Sequence, residues 1–64
     1  MIDINIYYKT GDIGIIKDVK KTETTEEEII LQIERHISRK AIKQIEIIEK
    51  FKYGEEIHTI KGKE

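Results

Sequence analysis

The chain has 64 residues, 39% of them charged yet with a formal net charge of −1, and it contains neither cysteine nor proline. A chain of this length builds one domain that buries only about 60% of its unfolded surface, so its core is small and needs reinforcement. The lack of cysteine excludes disulfides, thiolate metal sites and thiol nucleophiles, and the near-neutral charge excludes a global field that would draw in nucleic acid.

Residues 1–9 alternate strictly, with Ile2, Ile4, Ile6 and Tyr8 on one face and Asp3, Asn5, Tyr7 and Lys9 on the other, which is the period of a half-buried strand. Thr10 and Gly11 are the expected two-residue loop, and 13–20 return as a second strand. That register sets Tyr8 against Ile13, Ile6 against Ile15 and Ile2 against Val19 on the apolar face. The reverse face then pairs Tyr7 with Gly14 and Asn5 with Ile16, which leaves Ile16 outward. Lys17 falls on the apolar face near the strand end, where its stem lies along the core while its ammonium reaches water.

After a polar connection at 20–23, the stretch 24–40 carries the marks of a helix. Thr24 and Thr25 each precede a glutamate by three residues, Glu27 and Glu28, which is the spacing of a capping box. At ~100° per residue, Ile29, Ile30, Ile33, Ile37 and Ala41 fall in one apolar arc. Glu23, Glu26, Glu27 and Glu28 at the start and Arg35, Arg39 and Lys40 at the end match the helix macrodipole. Leu31 points away from the arc, among Glu27, Glu34 and Ser38, and is a candidate contact on the helix's outer surface.

The stretch 42–61 is the second long extended region. Ile45, Ile47, Phe51 and Tyr53 share a face into which Glu49 intrudes, while Ile42, Gln44, Glu46, Ile48, Lys50 and Lys52 share the other. A turn at 54–56 admits two registers. A two-residue loop sets Phe51 against His58; a three-residue loop sets Tyr53 against Ile57, Phe51 against Thr59 and Glu49 against Lys61. The second is favoured because it gives Glu49 an opposite charge. Residues 62–64 are expected to fray.

The resulting expectation is an α+β domain over 1–64, a ββαββ two-layer sandwich in which one helix packs on a four-stranded antiparallel sheet. The helix covers one sheet face and leaves the other with Tyr7, Ile16, Ile48 and Ile60, joined by Ile42, more large apolar groups than a small monomer leaves in water. A partner follows from this surplus, either a second copy making a homodimer or another protein, with Leu31 as a further contact.

Catalysis is not expected. Ser38 has no histidine placed to activate it, since His36 lies about 200° around the helix. His36 and His58, with Glu34 or Glu49 near them, lack the spacing of a metal site, and neither a metal nor a cofactor is expected. Nucleic acid is the alternative partner: Arg35, His36, Arg39, Lys40 and Lys43 form a basic cluster at the helix C-terminal end, and Tyr7 can stack on a base. Helix-turn-helix, zinc-finger and RNP-type signatures are absent. No apolar stretch nears the ~20 residues of a membrane span, and no basic segment leads into an apolar run. The sequence is therefore read as a cytoplasmic, non-enzymatic binding module, of the kind that phages and mobile elements use as regulators or inhibitors.

Overall fold

A computed structural model describes residues 1–32 and 35–64. The chain is nearly all strand, in the order β1 (Ile2–Tyr8), β2 (Ile13–Val19), β3 (Thr22–Thr24), β4 (Glu28–Leu31), β5 (Arg35–Ser38), β6 (Ile42–Phe51) and β7 (Gly54–Lys61). Between β5 and β6 lies one 3-10 turn, Arg39–Ala41. The strands form two antiparallel sheets, a four-stranded one in the order β2-β1-β6-β7 and a three-stranded one in the order β3-β4-β5. The expected α+β sandwich is therefore replaced by a sheet packed on a sheet. The four-stranded sheet is present, and its cover is a meander.

The helix signals in 24–40 have a different physical outcome. Thr25 Oγ1 does accept from the backbone N–H of Glu28 at 3.1 Å, as a capping residue would. It does so inside a tight turn, because Thr25 N–H also donates to the Glu28 carbonyl at 2.9 Å and closes the β3–β4 hairpin. The glutamate that should reach back to the cap instead meets His36, with Glu28 Oε1 2.9 Å from Nδ1. β-Branched residues gain more from a pleated surface than from a helix, and 28–31 and 35–38 also read with period two. Ile29 pairs with Ile37 on the inner face, and Ile30 pairs with His36 on the outer one. Ile33, counted in the helical stripe, and Glu34, placed beside Leu31, lie outside the described residues.

Both sheets contribute isoleucines to one core. Ile4, Ile6, Ile42 and Ile45 from the large sheet and Ile29, Leu31 and Ile37 from the small one are buried against each other. Each such side chain contributes about 1.5–3 kcal/mol relative to exposure. Ile42, expected on the outer face, is turned inward by a shift in register between Tyr7–Gln44 and Tyr8–Ile42.

Loop length decides which faces the remaining side chains take. The first hairpin closes through the three residues Lys9, Thr10 and Gly11, with Tyr8 N–H donating to the Asp12 carbonyl and Gly11 N–H to the Tyr8 carbonyl. Gly11 has φ +98°, the left-handed position that ends such a loop. One extra loop residue moves β2 by one place, so Tyr7 faces Ile13, Ile6 faces Gly14 and Ile4 faces Ile16. A one-place move exchanges the two faces: Ile16 is inward and Ile13 and Ile15 are outward. An irregularity near Asp18, at φ +59°, then returns Val19 to the core opposite Ile2.

The second hairpin turns through Lys52 and Tyr53, with Phe51 opposite Gly54, Ile47 opposite His58 and Glu49 opposite Glu56. Neither expected register holds, and Glu49 meets a like charge. The tail does not fray: Gly62 N–H donates to the Lys43 carbonyl at 2.9 Å and Lys63 N–H to the Arg39 carbonyl at 2.8 Å.

Candidate functional site

The small sheet covers one face of the large one, and no other element among the described residues covers the opposite face. Cross-strand partners share a face, so the bare face carries Ile13 and Ile15 of β2, Asp3, Asn5 and Tyr7 of β1, Gln44, Glu46, Ile48 and Lys50 of β6, and Glu55, Ile57, Thr59 and Lys61 of β7. Its middle is a polar network. Tyr7 Oη donates to Glu46 Oε1 at 2.7 Å, and Asn5 Nδ2 donates to the same oxygen at 3.4 Å. Lys50 Nζ lies 3.1 Å from Asp3 Oδ2, while Asp18 N–H donates to Asp3 Oδ1 at 3.3 Å. The bond from Lys50 and that from Asp18 hold the Asp3 carboxyl below the usual carboxylate range. The same Lys50–Asp3 bond raises the Lys50 ammonium, and the bond to Glu46 raises the Tyr7 phenol.

Apolar groups flank this network along the two edges. Ile13 and Ile15 are 62% and 65% exposed on the β2 edge. On the other side Ile57 is exposed and Ile48 half-buried. The β6–β7 hairpin extends past the small sheet and exposes Phe51 and Tyr53 at its tip, with Lys52 Nζ 5.6 Å from the Tyr53 ring centroid.

Of the five expected interface residues, Tyr7 and Ile48 lie on the bare face. Ile16 and Ile60 point the other way and pack, half-buried, against the core. Leu31 is 2% exposed and offers no surface, because a strand with period two puts it on the same side as Ile29. Sequence reasoning placed Ile13 and Ile15 inside; Gly11 at the third position of a three-residue loop was the signal that would have turned them out.

The expected basic cluster is dispersed. Arg35 and His36 are adjacent in β5 and so point to opposite faces, and His36 is engaged by Glu28. Arg39 is drawn down to backbone: its Nη1 donates to the Thr25 carbonyl at 3.0 Å and its Nη2 to the Lys61 carbonyl at 2.9 Å. Lys40 and Lys43 are exposed beyond the far end of β5 from Arg35.

The clefts are shallow. One of about 560 Å³ lies over the outer side of the small sheet, lined by Lys20, Lys21, Ile30, Gln32 and His36. Among the described residues no helix is long and apolar enough to cross a membrane. Comparison of the chain with protein-family models, curated proteins and solved structures finds no match.

Proposed function

We propose that this chain is a non-enzymatic protein-binding module that assembles with a second copy of itself along the β2 edge. It acts as a regulator or inhibitor by occupying a protein surface, in the cytoplasmic setting expected from its cysteine-free composition. The observation that carries this reading is the exposure of Ile13 and Ile15, 62% and 65%, on β2, which among the described residues is an edge strand of the large sheet.

The backbone supports the same edge. Tyr8 N–H bonds to the Asp12 carbonyl, and antiparallel pairing alternates, so Asp12, Gly14 and Ile16 direct their polar groups to β1. Ile13 and Ile15 direct theirs to the open side. An antiparallel copy centred on Gly14 sets Ile13 against the Ile15 of the second copy, twice, with no charged group among the four. Glycine meets glycine at the axis, so no side chains collide there. Edge addition of this kind takes its affinity from main-chain bonds and its specificity from alternate side chains.

Two competing surfaces are less suited. Face-to-face packing would bury the Asp3, Glu46 and Lys50 network, and removing charges from water is costly. The β7 edge carries Glu55, Glu56, His58 and Lys61, the charged blunting by which proteins discourage pairing.

Light scattering on a sizing column over a range of protein concentrations tests the proposal. A concentration-dependent dimer is expected, lost in Ile15→Asp and retained in Ile57→Asp. A monomer at every concentration, or a dimer indifferent to Ile15→Asp, overturns it.

A further inference from the structure

We infer that Glu49, Glu56 and His58 form a binding site for a divalent transition-metal ion such as zinc, on the part of the β6–β7 hairpin that extends past the small sheet. Glu49 and Glu56 are direct cross-strand partners, and His58 lies two residues beyond Glu56 on the same face. One ligand atom from each lies within 4.8 Å of the other two. His58 Nε2 is 3.3 Å from Glu56 Oε2, close to the roughly 3.4 Å that separates two donors on a tetrahedral zinc bound at about 2.0–2.2 Å. Rotation about the end of the half-buried Glu49 side chain brings in the third donor, and water completes the shell.

Charge supplies an independent reason. Like charges placed directly opposite on neighbouring strands destabilise a sheet, and Glu49–Glu56 is such a pair, whereas the adjacent Lys50–Glu55 pair is complementary. Among the described residues the ion-pair partner of Glu56 is His58, which supplies a positive charge only when protonated. Their cross-strand neighbours on that face, Ile2 and Ile47, are apolar, and Lys20, which lines a shallow cleft together with Glu49, makes no ion pair with it among the described residues. A divalent cation turns this repulsion into attraction. Imidazole with two carboxylates favours zinc, nickel or cobalt over magnesium and calcium, which prefer all-oxygen shells. The ion would join β6 to β7 where the small sheet does not reach, and anything that binds only the folded chain stabilises it.

The test is calorimetric titration of the full chain with zinc chloride in chelator-treated buffer, read beside thermal unfolding. Saturable one-to-one binding and a raised Tm are expected, with magnesium inert. Glu49→Gln and His58→Gln should each weaken binding at least tenfold while circular dichroism stays unchanged, and His36→Gln, which removes the other histidine–glutamate pair, should not weaken it. Glu56→Gln gives a further check if either variant misfolds. No heat and no Tm shift in the unaltered chain overturns the inference, and so does binding that survives in the Glu49 and His58 variants or disappears with His36.

Discussion

The Arg39 guanidinium donates to the Lys61 carbonyl through both Nε and Nη2, at 3.3 and 2.9 Å. Gly62 N–H bonds to Lys43 of β6, so its neighbours Lys61 and Lys63 present their polar groups on the far side of the strand. Arg39 takes both, the Lys61 carbonyl with its side chain and the Lys63 N–H with its carbonyl. Its third nitrogen, Nη1, donates to the Thr25 carbonyl in the β3–β4 turn. One residue thus closes the end of the β7 edge and ties the small sheet to the large one.

Arg39→Ala should therefore cost about 1–3 kcal/mol, the range for hydrogen bonds from a charged donor. Arg35→Ala and Lys40→Ala, at exposed sites whose side chains make no such bonds among the described residues, should stay within about 0.5 kcal/mol. Arg39→Lys should recover only part of the loss, because one ammonium cannot reproduce the fork. Urea unfolding of the four variants measures this; equal midpoints for Arg39→Ala and Lys40→Ala would show that the clamp contributes nothing.

Gly62 is fixed by close approach. A Cβ there would lie 1.9 Å from the Ile42 carbonyl oxygen and 2.7 Å from that of Arg39, both backbone atoms. Gly62→Ala must push the tail off the start of β6, and overpacking of this kind costs typically 1–3 kcal/mol. At Gly11, where nothing lies within 4 Å, alanine meets only the penalty of φ +98°, about 1–2 kcal/mol. Thermal unfolding should show Gly62→Ala melting below the unaltered chain, and amide exchange at position 62 and at Lys63, whose N–H groups bond to Lys43 and Arg39, should accelerate. Protected amides there in the variant would contradict the close approach.

The parts of the fold legible in the sequence are those fixed by local alternation. Strand β1 follows from Ile2, Ile4 and Ile6, and two hairpins flanking a central segment follow from the glycines at 11 and 54, although the second turn is Lys52–Tyr53 and Gly54 already belongs to β7. The central segment was misread because Thr25 and Glu28 satisfy a helix cap and a two-residue turn with the same Oγ–N–H bond. Non-local pairing between Ile29 and Ile37 then decided in favour of strand. The bare face was misread through one loop residue, since a three-residue loop in place of two moves Ile13 and Ile15 from core to surface. For the metal cluster, Glu49 and His58 were both in view, but their meeting depends on the register of β6 with β7, which spacing alone does not fix.

Stability should fall at both ends of the pH range. Asp3 titrates lower when folded than unfolded, held by Lys50 and the Asp18 amide. Its contribution is complete above the unfolded value of about 3.9 and is lost as pH falls through the lower folded value. Lys50 and Tyr7 titrate higher when folded, so their contributions are complete below their unfolded values of about 10 and are lost as pH rises through the folded ones. Melting temperature against pH should therefore show an acid limb that Asp3→Asn flattens and an alkaline limb that Tyr7→Phe and Lys50→Met flatten. An acid limb unchanged in Asp3→Asn would place its origin elsewhere.

The face exchange in β2 gives the sharpest stability contrast between neighbours. Ile16 stands opposite Ile4 and packs on the core, whereas Ile15 stands opposite Asn5 and is exposed. Ile16→Lys should destabilise the monomer by about 1–3 kcal/mol, because a charge is forced against apolar neighbours, while Ile15→Lys should stay within about 0.5 kcal/mol. Under the two-residue loop the order reverses, with Ile15 opposite Ile6 and Ile16 facing water. Denaturation at dilute protein keeps self-association out of the comparison, since binding of the folded state alone raises apparent stability. A larger loss in Ile15→Lys than in Ile16→Lys would restore the shorter loop, return Ile13 to the core beside Tyr8, and remove the apolar edge on which dimerisation through β2 rests.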